Sequence, residues 1–374
     1  MRAVTIEAHH GPTVFDELLR EWDGESAEIR YEAESGAWMF VCIHSTQLGP
    51  AAGGTRMGVY PSAAEGLADA MRLSAAMTCK LAIAGLPFGG GKAVLAVSEI
   101  PHGETRRRLI LRYGEVLQSL GGRFSTGPDL NTNVRDMDLL PHAIIRSEDR
   151  GGSGSSAPAT ALGVLHGIRA SVRYAFGSDR LDGSLVLVQG VGAVGSQLAE
   201  LLVQAGARVL ISDVDSTRVD EMASRLPVRT VAPERALRAD CDVFAPCAVG
   251  GVLDEHSIPK LRCRIVAGAA NNQLAAAGDG ERLRDAGILY APDYVINAGG
   301  CLYGLGLATL GWRQAELERR LAGIGKTLTT IYGEAGEQGI STSAVADRLA
   351  EARLGNLEGR APTLTARDTL GPAE

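Results

Sequence analysis

The sequence predicts an α/β chain of two domains, the second built on a doubly wound parallel sheet, and three observations predict it. The chain has 374 residues, too many for one ordinary core and about right for two. Its sharpest break in composition is Glu148-Asp-Arg-Gly-Gly-Ser-Gly-Ser-Ser-Ala-Pro158, which reads as a flexible hinge or as a mobile surface loop. Beyond that break strands and helices alternate. There Gly190-Val-Gly-Ala-Val-Gly195 stands between the buried run Leu185-Val-Leu-Val-Gln189 and a helical segment that ends at Gly206. Ala207 to Ser212 is the next strand, and Asp213 closes it, 23 residues after the first glycine. Strand, glycine turn, helix, strand and acid at this spacing form a dinucleotide fold.

Composition narrows the class of partner. A net charge of -7 and a pI near 5.6 argue against nucleic acid or an acidic membrane as partner. No apolar run of 18 or more residues appears, and the N-terminus has no signal-peptide pattern. The six cysteines, Cys42, Cys79, Cys241, Cys247, Cys263 and Cys301, include no CxxC pair and read as reduced thiols of a cytoplasmic protein. The histidines show no metal-ligand spacing, so no metal site is expected.

Along the chain, Glu28 to Ala33 and Trp38 to Ile43 read as a hairpin turning at Glu34-Ser-Gly36. Leu48-Gly-Pro-Ala-Ala-Gly-Gly-Thr-Arg-Met57 is too glycine-rich for regular structure and reads as a loop or connector. After Pro61, Ser62-Ala-Ala-Glu65 is a capping-box pattern. Leu67, Ala70, Met71, Ser74, Met77, Thr78 and Leu81 then recur at helical spacing. Lys80 falls at the end of that helix, where a cation suits the helix dipole.

The basic residues number 37, yet only Lys80, Lys92, Lys260 and Lys326 are lysines. Arginine stays protonated in proteins, whereas lysine can lose its proton. Two of the four lysines flank an apolar run and Gly89-Gly-Gly91, after which Ala93 to Val97 reads as a buried strand. A glycine turn with two solvated lysines accounts for the segment equally well. Arg106 to Leu120 is an amphipathic helix, and Thr126-Gly-Pro-Asp129 places a carboxylate just past a short strand. Asp after Pro is also common in ordinary turns.

In the second half, the helix N-terminus after Gly192 would hold a pyrophosphate, and Asp213 would accept from the adenosine ribose hydroxyls. Asp213 would also repel a 2'-phosphate, which favours NAD over NADP although Arg218 lies near. Asp242 to Ala245, Arg264 to Ala267 and Ile288 to Tyr290 are further strands. Their carboxyl ends carry Pro246-Cys-Ala248, Gly268 to Asn272 and Ala291-Pro-Asp293, where ligands bind in such sheets. Asn271, Asn272 and Asn297 are polar contacts for a ligand there, or simple caps and turns. Gln314 to Gln338 and Ser343 to Leu357 are helical, and residues 359–374 form a polar tail.

Taken together, these motifs resemble the amino-acid dehydrogenases of the glutamate, leucine, phenylalanine and valine family over nearly the whole chain. The resemblance is carried by Gly49-Pro-Ala-Ala-Gly-Gly-Thr-Arg56, Gly89-Gly-Gly-Lys92, Thr126-Gly-Pro-Asp129 and the Gly190–Gly195 loop. It continues through Pro246-Cys-Ala-Val-Gly250, Ala267-Gly-Ala-Ala-Asn-Asn272 and Ala291-Pro-Asp-Tyr-Val-Ile-Asn-Ala-Gly-Gly300. It implies reversible, NAD-dependent oxidative deamination of an L-amino acid to its 2-oxo acid and ammonia. It also implies a homo-oligomer with three parts. Residues 1–147 would bind substrate and oligomerise, 148–332 would bind NAD in a Rossmann-type domain, and 333–374 would return to the first domain. A cleft would lie between the two domains.

Position by position, Lys92 and Asp129 would be catalytic and Lys80 would bind the substrate carboxylate. Gly53, Gly54, Leu48, Gly127, Asn272, Asn297, Cys301 and Gly304 would line the substrate. Thr160, Gly190, Gly192, Ala193, Val194, Gly195, Asp213, Cys247, Ala248 and Asn271 would hold the cofactor. Lys92 as a water-activating base needs a pKa near working pH rather than the usual ~10.4, a drop of roughly three units or about 4 kcal/mol. The apolar Leu86-Pro-Phe88 neighbourhood and Lys80 as a second cation would contribute to it. Glycine at 127 and 304 leaves room for a ring, and Thr126 to Asn133 and Arg150 to Ser156 look most like phenylalanine dehydrogenases. L-Phenylalanine is therefore the expected substrate, with branched-chain amino acids the alternative. A catalytically dead NAD-binding sensor predicts a damaged Lys80–Lys92–Asp129 set, and a hydroxy-acid dehydrogenase wants a His–carboxylate motif. The sequence supports neither.

Overall fold

The structure, a computed structural model, describes residues 19–144 and 155–355. Most of the Gly/Ser segment and the C-terminal tail lie outside the described residues. The chain forms two compact units. One holds the described residues of Met1–Thr46, Pro50–Thr78 and Gly89–Ala143; the other holds Gln47–Gly49, Cys79–Phe88 and the described residues of Ile144–Glu374.

The first unit is a five-stranded sheet in the order β1-β2-β4-β3-β5. Its strands are β1 (Ser26–Glu32), β2 (Ala37–Ser45), β3 (Ala51–Val59), β4 (Gly89–Val97) and β5 (Phe124–Pro128). β1 and β2 make the expected hairpin, β2 meets β4 antiparallel, and β3 lies parallel to both β4 and β5. Helix α1 (Ala63–Ile83) follows β3, α2 (Gly103–Ser119) joins β4 to β5, and α3 (Val134–Met137) follows β5. Leu67, Ala70, Met71, Ser74, Thr78 and Leu81 of α1 are buried as their spacing predicts. The Glu65 backbone N–H donates to Ser62 Oγ at 3.3 Å, and Lys80 sits in the last turn. Met39, Val41, Ala93, Leu95, Ile110, Tyr113 and Phe124 belong to one core on the other face.

Two expectations are corrected here. Residues 51–59 form no loop: they are β3, flanked by β4 and β5. Glycine weakens a strand by itself, but here Gly53 and Gly54 pair with β5 while their neighbours pair with β4, and tertiary context overrides propensity. Likewise Gly89, Gly90 and Gly91 make no turn. They begin β4, where they are buried and each pairs with β2, β3 or both.

The second unit carries a six-stranded parallel sheet in the order β11-β10-β9-β6-β7-β8. Its strands are β6 (Leu185–Gln189), β7 (Arg208–Ser212), β8 (Val228–Thr230), β9 (Val243–Pro246), β10 (Ile265–Val266) and β11 (Leu289–Tyr290). Counted from β6, this is the 3-2-1-4-5-6 order of a Rossmann sheet, with its switch point between β6 and β9. Around it lie α4 (Ala157–Phe176), α5 (Ala193–Gln204), α6 (Ser216–Arg225), α7 (Asp279–Asp285), α8 (Asp293–Ile296), α9 (Gly299–Tyr303), α10 (Gln314–Gln338) and α11 (Thr342–Gly355). A π-turn at Gly304–Thr309 interrupts the chain between α9 and α10. Arg353 of α11 donates to the carbonyls of Ala82 (3.1 Å) and Ile83, and Gln47 Nε2 donates to the carbonyl of Leu354 at 3.1 Å. The C-terminal helix therefore touches segments from early in the chain.

Candidate active site

In the first unit the predicted residues converge on one carboxylate. Lys92 stands on β4 opposite Cys42 of β2, and only 7% of its side chain is exposed. Asp129 follows β5, on the far side of β3 from Lys92. Lys92 Nζ nevertheless donates to Asp129 Oδ2 at 2.6 Å. The glycines of β3 make this reach possible. A Cβ at Gly54 would lie 2.9 Å from Asp129 Cβ and 3.3 Å from Lys92 Nζ, and one at Gly53 would lie 1.8 Å from the Gly91 carbonyl oxygen. A side chain at Gly54 would block the crossing, and one at Gly53 would strike the backbone of β4. Gly127 pairs with Gly54 and is buried, yet a Cβ there meets nothing within 4 Å.

A second cation shares the same oxygen: Arg56 Nε donates to Asp129 Oδ2 at 3.0 Å. Burial pushes the Asp129 carboxyl up, but Lys92 and then Arg56 outweigh it and bring the pKa to about 2. Asp129 is therefore ionised across the neutral range. A carboxylate 2.6 Å away also favours the ammonium form of Lys92, opposite to the expected lowering. Arg56 Nη1 donates onward to Asp69 Oδ2 at 2.9 Å; Tyr60 Oη donates to the same oxygen at 2.7 Å and Arg72 Nη2 to Asp69 Oδ1 at 2.5 Å. The sequence reading missed Arg56 and Asp69 as site residues. One signal was present: Asp69 is a carboxylate set among the apolar residues Leu67, Ala68, Ala70 and Met71 of α1.

The second unit holds the other candidates. Lys80 Nζ donates to Asn271 Oδ1 at 3.0 Å, and Asn297 Nδ2 donates to the same oxygen at 2.8 Å. Asn297 is buried, and among the described residues its Oδ1 has no hydrogen-bond partner. Asn272 takes φ +51°, and its backbone N–H donates to Asp293 Oδ2. Asp293 thus fixes the Asn271-Asn272 turn, a role that its place in Ala291-Pro-Asp293 did not betray. Burial raises the Asp293 carboxyl, while Lys80 and the Asn272 N–H pull it down. Leu48 is half-buried, Cys301 lies in α9, and Gly304 opens the π-turn.

The nucleotide loop follows from packing at the switch point. Gly190 has φ +92°, and a Cβ there would lie 2.7 Å from Ala248 Cβ; one at Gly195 would lie 1.9 Å from the Gly190 carbonyl oxygen. The loop after β9 therefore presses Cys247 and Ala248 against the glycines, and the Cys247 N–H donates to the Gln189 carbonyl at 2.7 Å. Burial pushes the Cys247 thiol up to about 12, so it acts as packing rather than as a nucleophile. Around Gly192 the nearest atom to a Cβ is Arg218 Nη1 at 4.0 Å, so that side is open for a ligand. Ala193 and Val194 begin α5, whose first backbone N–H groups point out of the helix. Asp213 Oδ2 accepts from the Val191 N–H at 2.7 Å and Oδ1 from the Asp215 N–H at 2.9 Å. A carboxylate has further lone pairs for ribose hydroxyls. Arg218, the cation noted beside this site, pairs with Asp215 at 3.1 Å and is thereby drawn away from a 2'-phosphate. Thr160, in the first turn of α4, donates its hydroxyl to the Ser156 carbonyl at 3.0 Å and packs against Gly299 and Gly300. These residues fit a dinucleotide.

Comparison with known proteins agrees with this geometry. The Glu/Leu/Phe/Val dehydrogenase dimerisation-domain model matches residues 27–144, and the glutamate/leucine/phenylalanine/valine dehydrogenase model matches residues 151–222 and 212–353. The chain is 38% identical to a leucine dehydrogenase of Thermoactinomyces intermedius over 346 residues, 91% of this chain and 93% of that one. It is 42% identical to a valine dehydrogenase of Streptomyces virginiae over 337 residues, 88% of this chain and 93% of that one. The crystal structure of an L-tryptophan dehydrogenase from Nostoc punctiforme superposes with a TM-score of 0.76 at 39% identity, over 92% of this chain and 99% of that one.

Proposed function

Because the chain belongs to the Glu/Leu/Phe/Val dehydrogenase family and is an NAD-dependent amino-acid dehydrogenase, we propose that its substrates are branched-chain L-amino acids, leucine and valine first. Kinship carries this reading: relatives named leucine and valine dehydrogenases match the chain nearly end to end. The expectation of phenylalanine, read from glycine at 127 and 304, gives way to it. An aromatic side chain remains the second reading, favoured by the open space before buried Gly127.

For the reaction, Lys80 pairs with the substrate carboxylate, and Asn271 orients its ammonium group. Asn297 Oδ1 supplies an acceptor for the substrate amino group. Bound NAD supplies the hydride acceptor for the substrate α-carbon. Lys92, as the neutral amine, takes a proton from the water that attacks the resulting iminium carbon. Asp129, ionised at neutral pH, receives and returns protons of the amino group until ammonia leaves. The single observation that carries this chemistry is the Lys92–Asp129 pair, 2.6 Å apart with Lys92 buried. Gly190, Gly192 and Gly195 give the pyrophosphate room beside the first turn of α5; Asp213 takes the adenosine ribose, and Thr160, Cys247 and Ala248 flank the nicotinamide half. The dimerisation-domain match supports a homo-oligomer. Among the described residues no helix is long and apolar enough to cross a membrane, and six free cysteines fit a cytoplasmic enzyme.

NADH formation with L-leucine, L-valine, L-phenylalanine and L-tryptophan tests the assignment. The highest kcat/KM is expected with leucine or valine. A clear preference for an aromatic substrate would overturn the branched-chain reading and leave the chemistry standing.

A further inference from the structure

The Lys92–Asp129 contact poses a difficulty. A water-activating lysine must give up a proton, and a carboxylate 2.6 Å from Nζ holds that proton in place. Burial among apolar neighbours opposes the charge, but an ion pair already in contact answers burial. Something must draw charge away from Asp129. Arg56 is placed to do so, because its Nε donates to the same Oδ2 at 3.0 Å.

We propose that Arg56, anchored by Asp69, is a positioning residue that shares Asp129 Oδ2 with Lys92 and thereby lets Lys92 release its proton. The proposal rests on the reading of Lys92 as the water-activating group. A guanidinium does not deprotonate in proteins, so its positive charge is permanent where that of Lys92 is not. With two cations on one oxygen, only the lysine can resolve the crowding. Among the described residues Arg56 of β3 contacts this pair, and Asp69 and Arg72 of α1 and Tyr60 stand behind it. Asp69 spreads its charge over Arg56, Tyr60 and Arg72. It therefore anchors the guanidinium without fully neutralising it. Burial raises the Tyr60 hydroxyl, and the neighbouring Asp69 raises it further, so Tyr60 stays neutral and acts only as a donor. Arg56 and Asp69 side chains are 19% and 14% exposed, which keeps solvent screening low.

The chain's four lysines make a direct test practicable. Protein labelled with 13C,15N-lysine gives four side-chain signals, and Lys92→Arg assigns the one in question. Its titration midpoint is read in the native protein, in Arg56→Gln and in Asp69→Asn. Removing Arg56 leaves the carboxylate to Lys92 alone, so the midpoint rises by about one pH unit or more. Removing Asp69 deletes a negative charge and leaves Arg56 to Asp129, so the midpoint falls. The acid limb of kcat/KM for deamination moves with it in each case. Shifts of opposite sign are what a merely structural role does not give. A midpoint that stays put in both folded variants, or falls in Arg56→Gln, overturns the proposal. Should Arg56→Gln fail to fold, Asp69→Asn decides alone, a fall supporting the proposal and no change ending it. The signal is read without turnover, so it is independent of the functional reading, which fails instead if Lys92→Ala keeps its activity.

Discussion

The two lysines that flank the apolar run end up with different partners. Lys92 lies buried against a carboxylate that an arginine also contacts; Lys80 lies half-buried against the neutral amide of Asn271. Lys80 bonds a neutral acceptor rather than a carboxylate, although the Asp293 carboxylate also feels its charge, so it is placed to meet an incoming anion. A charged partner makes the protonation state of Lys92 depend on its surroundings. Under the proposed roles lysine serves two purposes, as a cation for the substrate and as a proton exchanger, and the difference in neighbours supports that division.

The comparison breaks most readily at Asp129. Asp129→Asn removes the charge that couples Lys92 to Arg56 and the proton acceptor together, so kcat for deamination falls by about 10²–10⁴ while NAD binding, followed by protein fluorescence, holds. The same carboxylate makes stability depend on acid. Its pKa is depressed in the fold, from the ordinary 3.8 to about 2. Its contribution is therefore present above about pH 4 and lost as pH falls through the folded value, a loss of about 2 kcal/mol. Denaturant midpoints measured from pH 6 to pH 2 should show a loss in the native protein that is absent in Asp129→Asn. A smaller effect belongs to the nucleotide loop. Asp213→Ala frees the Val191 N–H and takes away the ribose acceptor, so affinity for NAD weakens by about tenfold, or about 1.4 kcal/mol, with kcat at saturating NAD unchanged. The smallest effect is expected at Gly127. Because a Cβ there meets nothing, Gly127→Ala keeps thermal stability within about 0.5 kcal/mol and shifts preference from leucine towards valine.

Much of this was legible in the sequence because it depends on spacing. The helix 63–83 with Lys80 in its last turn, the glycine loop after β6 and Asp213 at the end of β7 each follow from local period and turn chemistry. The Arg56–Asp69 bridge does not, because it joins a strand to a helix through side chains that only the packed unit brings together. β3 was illegible for the opposite reason. Gly53 and Gly54 look like loop residues, and their meaning appears only when Gly53 is seen against the Gly91 carbonyl and Lys92 is seen to cross over Gly54 to Asp129. Gly89 to Gly91 mislead in the same way, since their smallness admits Thr78 and Phe124 against β4 rather than bending the chain.

Side-by-side steady-state kinetics of Lys80→Ala and Lys92→Ala, with NAD and L-leucine, test the division between the two lysines most directly. KM for leucine should rise about tenfold to a hundredfold in Lys80→Ala, as loss of a charge-assisted bond worth about 1.5–3 kcal/mol requires, with kcat less affected. In Lys92→Ala kcat should fall by about 10²–10⁴ with KM little changed. Two variants that lose the same parameter to the same degree would contradict the account.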